Sequence, residues 1–174
     1  MTAAIRRATL DDLPALHCLV ERSYRGEAAR KGWSHEADLL EGQRTDPGEL
    51  TDILTQPDRL MLAAEEDGRL IGCVQVSDRG EGVATLGMLS VEPKLQAAGL
   101  GRRLIEAAED AAREAFHARR MRMTVIRQRE PLIAWYERRG YRRTGGVEPF
   151  PMDDPRFGLP LRRDLEFAVL EKPL

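Results

Sequence analysis

A strand that runs into proline and then into a glycine-rich turn at the mouth of a long helix leaves few folds open. Residues 87–115, GMLSVEPKLQAAGLGRRLIEAAEDAAREA, have this order. Val91-Glu92-Pro93 ends the strand, and Gly99 and Gly101 open a helix whose apolar stripe is Leu104, Ile105, Ala108, Ala111, Ala112 and Ala115 at three-and-four spacing. The first N–H groups of such a helix have no partner within it, and the helix dipole adds partial positive charge there. Small residues at 97–99 and 101 let an anion approach the backbone, and Arg102 and Arg103 add formal charge. Taken alone, the turn is equally a tight strand-to-helix connection. Two phosphate motifs are excluded. Leu104 stands where a dinucleotide fingerprint needs its third glycine, and Gly101 is followed by Arg102-Arg103 where a P-loop needs Lys and Ser or Thr.

The remaining pattern predicts one mixed domain over residues 1–174, in the order β-α-α-α-β-β-β-α-β-α-β-β. Residues 3–8 read as a strand. Thr9 and Asp12 then form a capping box for a helix with Leu13, Leu16, Leu19 and Val20 on its apolar stripe. A second short helix is expected over 34–40. A third starts at Asp46-Pro47 with Glu49 in its first turn, and ends near Gln56-Pro57. Strands at 59–66 and 69–78 flank Asp67-Gly68, a hairpin turn. Further strands are expected at 82–93, 121–126, 141–147 and 165–171, with a helix over 130–141 that has Pro131 near its start and Gly140 past its end. The proline-rich stretch 148–160 reads as loop. The fold class is α+β, an α/β sandwich: a mixed, mostly antiparallel sheet of six or seven strands with helices on both faces.

Charge is unevenly spread. Residues 1–93 hold 10 Lys/Arg against 17 Asp/Glu, whereas residues 94–143 hold 13 against 6. The basic segment contains the glycine turn, which suggests an anionic partner. A nucleic acid is excluded on a pI near 6.0 and the absence of any nucleic-acid-binding motif. No apolar run approaches the ~18 residues of a membrane span, and the N-terminal stretch lacks a signal-peptide pattern, so a cytoplasmic location is expected. Cys18 and Cys73 form no C-x-x-C unit and read as reduced packing residues, so neither metal nor redox chemistry is expected.

Gln96-Ala97-Ala98-Gly99-Leu100-Gly101 resembles the [RQ]-x-x-G-x-[GA] motif of the GNAT superfamily of acetyl-CoA-dependent N-acetyltransferases. Residues 134–141, AWYERRGY, resemble that family's downstream L-Y-E-K-x-G-[FY] pattern, and the two together extend the resemblance over essentially the whole chain. The resemblance implies acetyl-CoA as co-substrate, with its pyrophosphate on residues 96–102. It implies the pantetheine arm beside Leu89, Ser90 and Val91, paired as an added strand would be. An N–H of Leu89 or Val91 would then polarise the thioester carbonyl. It also implies that Tyr136 is the acid that protonates the leaving thiolate. Two departures stand out: Arg129 occupies the place of a frequent asparagine, where it contacts phosphate or faces water, and the strand ATLGMLSV lacks the acid that relatives use as general base.

The resemblance implies an acceptor pocket between the first helices and the last strands. Trp33, Glu36, Asp38 and Glu148 are the candidate residues there, with Glu41 and His35 as further candidates, and the local excess of acids favours a cationic amine. The expected function is acetyl transfer to a primary amine, on a small molecule or a peptide, by a monomer or homodimer. A non-catalytic acyl-CoA-binding module of the same fold is the alternative.

Overall fold

The computed structural model describes residues 2–174. Its elements in chain order are β1 (Ala4–Arg7), α1 (Leu13–Tyr24), α2 (Gly26–Ala29), β2 (Leu40–Glu41), α3 (Pro47–Thr55), β3 (Arg59–Glu66), β4 (Arg69–Asp78), β5 (Val83–Val91), α4 (Leu100–Phe116), β6 (Arg120–Ile126), α5 (Glu130–Glu137), β7 (Arg142–Pro149), β8 (Leu159–Pro160) and β9 (Glu166–Pro173). Seven strands form one sheet in the order β1-β3-β4-β5-β6-β9-β7. Every pairing is antiparallel except β5 with β6. The expected α+β class is the observed one.

Local chemistry starts and stops the elements where the sequence indicates. Asp12 accepts a bond from the Thr9 N–H at 2.8 Å, ahead of α1. The Asp46 carboxylate accepts from the Glu49 N–H at 2.9 Å and caps α3, with Pro47 as its first residue. Asp67 and Gly68 both take positive φ, as a tight hairpin between right-twisted strands requires. The strands read as near-continuous apolar runs because both faces of the sheet are covered. On β3, Leu60, Leu62 and Ala64 face α4, while Met61 and Ala63 face α1 and α3. Leu104, Ile105, Ala108 and Ala112 of α4 fill one layer, and Leu16, Leu19, Val20, Leu50 and Ile53 fill the other.

Several expectations are corrected. No helix forms over 34–40. The helical turn lies earlier, at α2, and Leu40–Glu41 instead pairs with Leu159–Pro160 in a two-stranded ribbon. The reason is tertiary: Glu36 is buried against two arginines, and Leu40 is buried with Ile126, Phe150 and Leu165. The ribbon also gives the 148–160 stretch regular structure at both ends, since β7 continues through Pro149. Ala115, expected on the apolar stripe, is exposed, and Phe116 beside it packs on the core instead. Cys18 is exposed, not packed, on the outer face of α1, whereas Cys73 is buried as expected.

One buried ionic cluster ties α4 to the C-terminal half. Glu109 accepts from Tyr141 Oη at 2.9 Å and from Lys172 Nζ at 2.9 and 3.0 Å. Tyr141 follows α5 directly and Lys172 lies on β9, so this contact sets where α5 stands over the sheet. Removing one partner of a buried charge cluster leaves the others unsatisfied. Glu109→Ala is therefore expected to lower unfolding free energy by about 3 kcal/mol in urea denaturation. A loss below about 1 kcal/mol would show the cluster to be dispensable.

Candidate functional site

The site begins where two strands part. β5 and β6 pair only through Val83–Thr85 and Arg120–Arg122, and beyond that they diverge. Along the same stretch β5 carries a bulge against β4, with Met88 at φ +53°. The Glu92 N–H bonds across to Ile71 on the β4 side, so by alternation the polar groups of Leu89 and Val91 point into the open wedge. Their carbonyls are engaged there: Tyr24 Oη donates to Leu89 O at 2.7 Å, and Ser23 Oγ and Gln96 Nε2 donate to Val91 O at 3.3 Å. By the same alternation their N–H groups face the wedge, where β6 offers no pairing partner.

The glycine turn lies at the wide end of the wedge. Ala97 takes φ +71° and Gly99 φ +86°, the latter as N-cap of α4. A side chain at Gly99 would meet nothing within 4 Å, so the turn opens outward rather than packing under its neighbours. At Gly101 an added Cβ would lie 3.3 Å from the Trp135 ring, so that glycine lets α4 and α5 approach. The first helical bond runs from Arg103 N–H to Gly99 O. The amides of Leu100, Gly101 and Arg102 therefore have no intrahelical partner.

Two cavities meet in the wedge. The first, about 160 Å³, is lined by the turn, by β5, by Trp33 and Ser34, by α5 side chains including Trp135, and by Arg139 just past the end of α5. The second, about 430 Å³, extends from β5 and β6 toward α3 and the aromatic residues Phe150, Phe157 and Phe167. Tyr24, Leu89, Arg129, Leu132 and Tyr136 line both. Tyr136 is buried, set edge-on to Trp135 at 5.1 Å and to Tyr141 at 5.9 Å. Its hydroxyl has no hydrogen bond to protein among the described residues. Burial, opposed only in part by Arg129 and Arg139, holds the phenol well above its usual pKa, so it stays protonated.

A loop closes over the first cavity. The Gln96 side chain accepts from Ser34 N–H at 2.9 Å and donates to Ser34 O at 3.2 Å. This close approach requires glycine at 32, because a Cβ there would lie 2.2 Å from Gln96 Oε1. Trp33 packs on Trp135 at 6.1 Å between centroids. Arg129 anchors the loop from the other side, donating to Ser34 Oγ at 2.9 Å and pairing with Glu36 at 3.1 Å. The second oxygen of Glu36 pairs with Arg25 at 2.9 Å, so this carboxylate is fully engaged.

The structure brings most of the expected site residues together. Leu89, Ser90, Val91, Gln96, Ala97, Gly99, Gly101, Arg102, Arg129 and Tyr136 all line the first cavity. Ala98 and Leu100 belong to the turn through their backbone, and the Leu100 side chain is in the core. The expected acceptor residues divide: Trp33, His35 and Asp38 line a separate shallow pocket beside the first cavity. Trp33 lines the first cavity and Glu36 the second. Asp38 pairs with Arg30 at the surface, and Glu148 is exposed on β7. His35 lies outside both cavities, with burial holding its imidazole below the usual pKa. Cys73, pushed up to about 12 by burial, is inert. Tyr24, Arg44 and Glu49 also line the second cavity; the first two lie within the segment 22–44 expected at the acceptor pocket without being singled out there, and Glu49 lies outside it. Tyr24 was legible only as the aromatic at the end of α1.

Comparison with known proteins accords with this geometry. The acetyltransferase (GNAT) family matches residues 14–141. An IAA acetyltransferase of Azospirillum brasilense is 31% identical over 101 residues, which span 58% of this chain and 65% of that relative's length. The ribosomal-protein-S18-alanine N-acetyltransferase of Escherichia coli superposes with a TM-score of 0.71 at 17% identity, over 98% of this chain and 93% of that one. The PaiA N-acetyltransferase of Thermoplasma acidophilum, solved in complex with coenzyme A, superposes over 100% of both chains with a TM-score of 0.69 at 20% identity. These solved structures share the fold, and the family match over 14–141 carries the assignment: the chain belongs to the GNAT acetyltransferase family.

Proposed function

We propose that the protein transfers the acetyl group of acetyl-CoA to a primary amine by direct attack in a ternary complex. The observation that carries this reading is the junction of the two cavities. There the N–H groups of Leu89 and Val91, turned toward the side that β6 leaves unpaired, and the Tyr136 hydroxyl, which has no hydrogen bond to protein among the described residues, face one space. The amides of Leu100, Gly101 and Arg102 would hold the pyrophosphate, with Arg102 adding charge. The pantetheine arm would lie along β5 and use the open edge that β6 leaves.

The amine enters from the second cavity. Its lone pair forms the N–C bond while the carbonyl π electrons move onto oxygen, where an N–H of Leu89 or Val91 stabilises them, an effect worth about 3 kcal/mol. Collapse of this adduct breaks the C–S bond. Tyr136 gives its proton to the departing thiolate and regains one from the proton that nitrogen releases. Glu49 faces the second cavity with Oε2 bonded to Thr45 Oγ1 and Oε1 unbonded. It is the carboxylate we assign to take up the ammonium proton, directly or through water, since no acid lies on β5. Arg129 we assign to the loop anchor rather than to phosphate, because its guanidinium is engaged by Glu36 and Ser34.

Tyr136→Phe is expected to lower kcat about 100-fold in a thiol-release assay while the acetyl-CoA Kd changes less than twofold. Unchanged kcat would remove the acid role. Gln96→Ala cuts both bonds to Ser34, and amide exchange at Ser34 is expected to quicken on the order of tenfold. Exchange at the wild-type rate would mean that Trp33 and Arg129 hold the loop without Gln96.

A further inference from the structure

The second cavity is positively charged where the sequence suggests acidity. Five arginines line it, Arg25, Arg44, Arg59, Arg79 and Arg129, against the two carboxylates Glu36 and Glu49. Glu36 is consumed by Arg25 and Arg129. The other three guanidiniums are not balanced in this way. Arg59 reaches only its neighbour Asp58, at 3.6 Å. Arg79 bonds the Thr85 hydroxyl at 3.2 Å and has no carboxylate within 4 Å among the described residues. Arg44, half-buried, also has none in contact, with Glu36, Glu49 and Glu21 acting on it only from beyond that distance, and it stands 4.9 Å from the centre of the Tyr24 ring. Tyr24 in turn bonds Leu89 O. Arg44 is thus one tyrosine ring away from the proposed point of attack, with Arg59 and Arg79 farther out along the sheet. A guanidinium withdrawn from water without an anion is costly, and a bound carboxylate relieves that cost with bidentate geometry.

Resting on the acetyl-transfer reading above, we propose that the acceptor is an amine that also carries a carboxylate. Arg44 receives that carboxylate, and Arg59 and Arg79 supply the surrounding positive field. The same cavity repels polyamines and other multiply cationic amines. Phe150, Phe157 and Phe167 on its far wall take an apolar side chain. A free amino acid with an apolar side chain has all three features.

The test is a thiol-release panel in which L-phenylalanine, L-leucine and L-methionine are each compared with their own carboxamide, with spermidine as cationic reference. The acid is expected to exceed its amide at least tenfold in kcat/KM, and spermidine is expected to be the poorest acceptor. Arg44→Gln is expected to erase most of that ratio through KM, and the more exposed Arg79→Gln to reduce it about threefold. Calorimetric titration of L-phenylalanine and its amide into protein saturated with coenzyme A reads the cavity without turnover, and tighter binding of the acid is expected. Amides or spermidine preferred over the acids, an Arg44→Gln variant with the wild-type ratio, or no tighter binding of the acid each overturns the proposal. If acids bind but no amine is acetylated, the catalytic reading fails while the acceptor charge stands.

Discussion

Everything at the site depends on β5 and β6 ceasing to pair after three residues. Two parallel strands held together along their length would satisfy each other's amides and leave no room between them. Here the bulge at Met88 turns β5 away just as α5 begins to cover β6. Leu89 and Val91 therefore present unpaired N–H groups inside the protein rather than at an outer edge. An open strand edge is normally a hazard. In this fold it is walled by α1, α5 and the loop at Trp33, so only a ligand of suitable width can complete it.

The walls are held by polar contacts as much as by apolar burial. Arg25, Glu36 and Arg129 form a buried chain from the end of α1 to the start of α5. Gln96 extends it to the glycine turn through Ser34. Because each member takes its geometry from the next, the turn that would bind phosphate and the loop that would meet the amine are mechanically joined. This also explains why the segment after α2 is not a helix despite a tolerable pattern. The energy of pairing Glu36 inside the protein exceeds what a single isolated helical turn offers.

The fold was largely legible, since its signals are local: alternation on β3 and β4, the Asp67-Gly68 turn, the caps at Thr9 and Asp46, and the stripe on α4. The donor half of the site was legible for the same reason, because Gln96–Gly101 and Leu89–Val91 are each continuous in the chain. The bulge at Met88 was not, as nothing in ATLGMLSV marks where a strand gains a residue. The lining of the second cavity was not legible because it is assembled from α1, α3, β3, β4 and the C-terminal aromatics, and no local pattern reports which side chains converge.

The charge of that cavity was hidden from the sequence for an electrostatic reason. Counting charges along residues 1–93 gives an acidic segment, but a folded surface does not inherit the sign of its sequence. Several acids there are neutralised in ion pairs, mostly within the same segment: Asp38 with Arg30, Asp12 and Glu65 with Arg6, Glu92 with Arg22, while Glu36 bridges Arg25 and Arg129. Arg44 and Arg79, which make no such pair among the described residues, both line the second cavity. A paired carboxylate contributes little field beyond its partner, whereas an unpaired guanidinium in a concave, low-dielectric wall is felt across the whole space. The sign of a site is therefore set by which charges remain without partners after folding. In the two cavities of this chain, the amides of the glycine turn and the guanidiniums of Arg44 and Arg79 are the positive groups left without an ion-pair partner among the described residues.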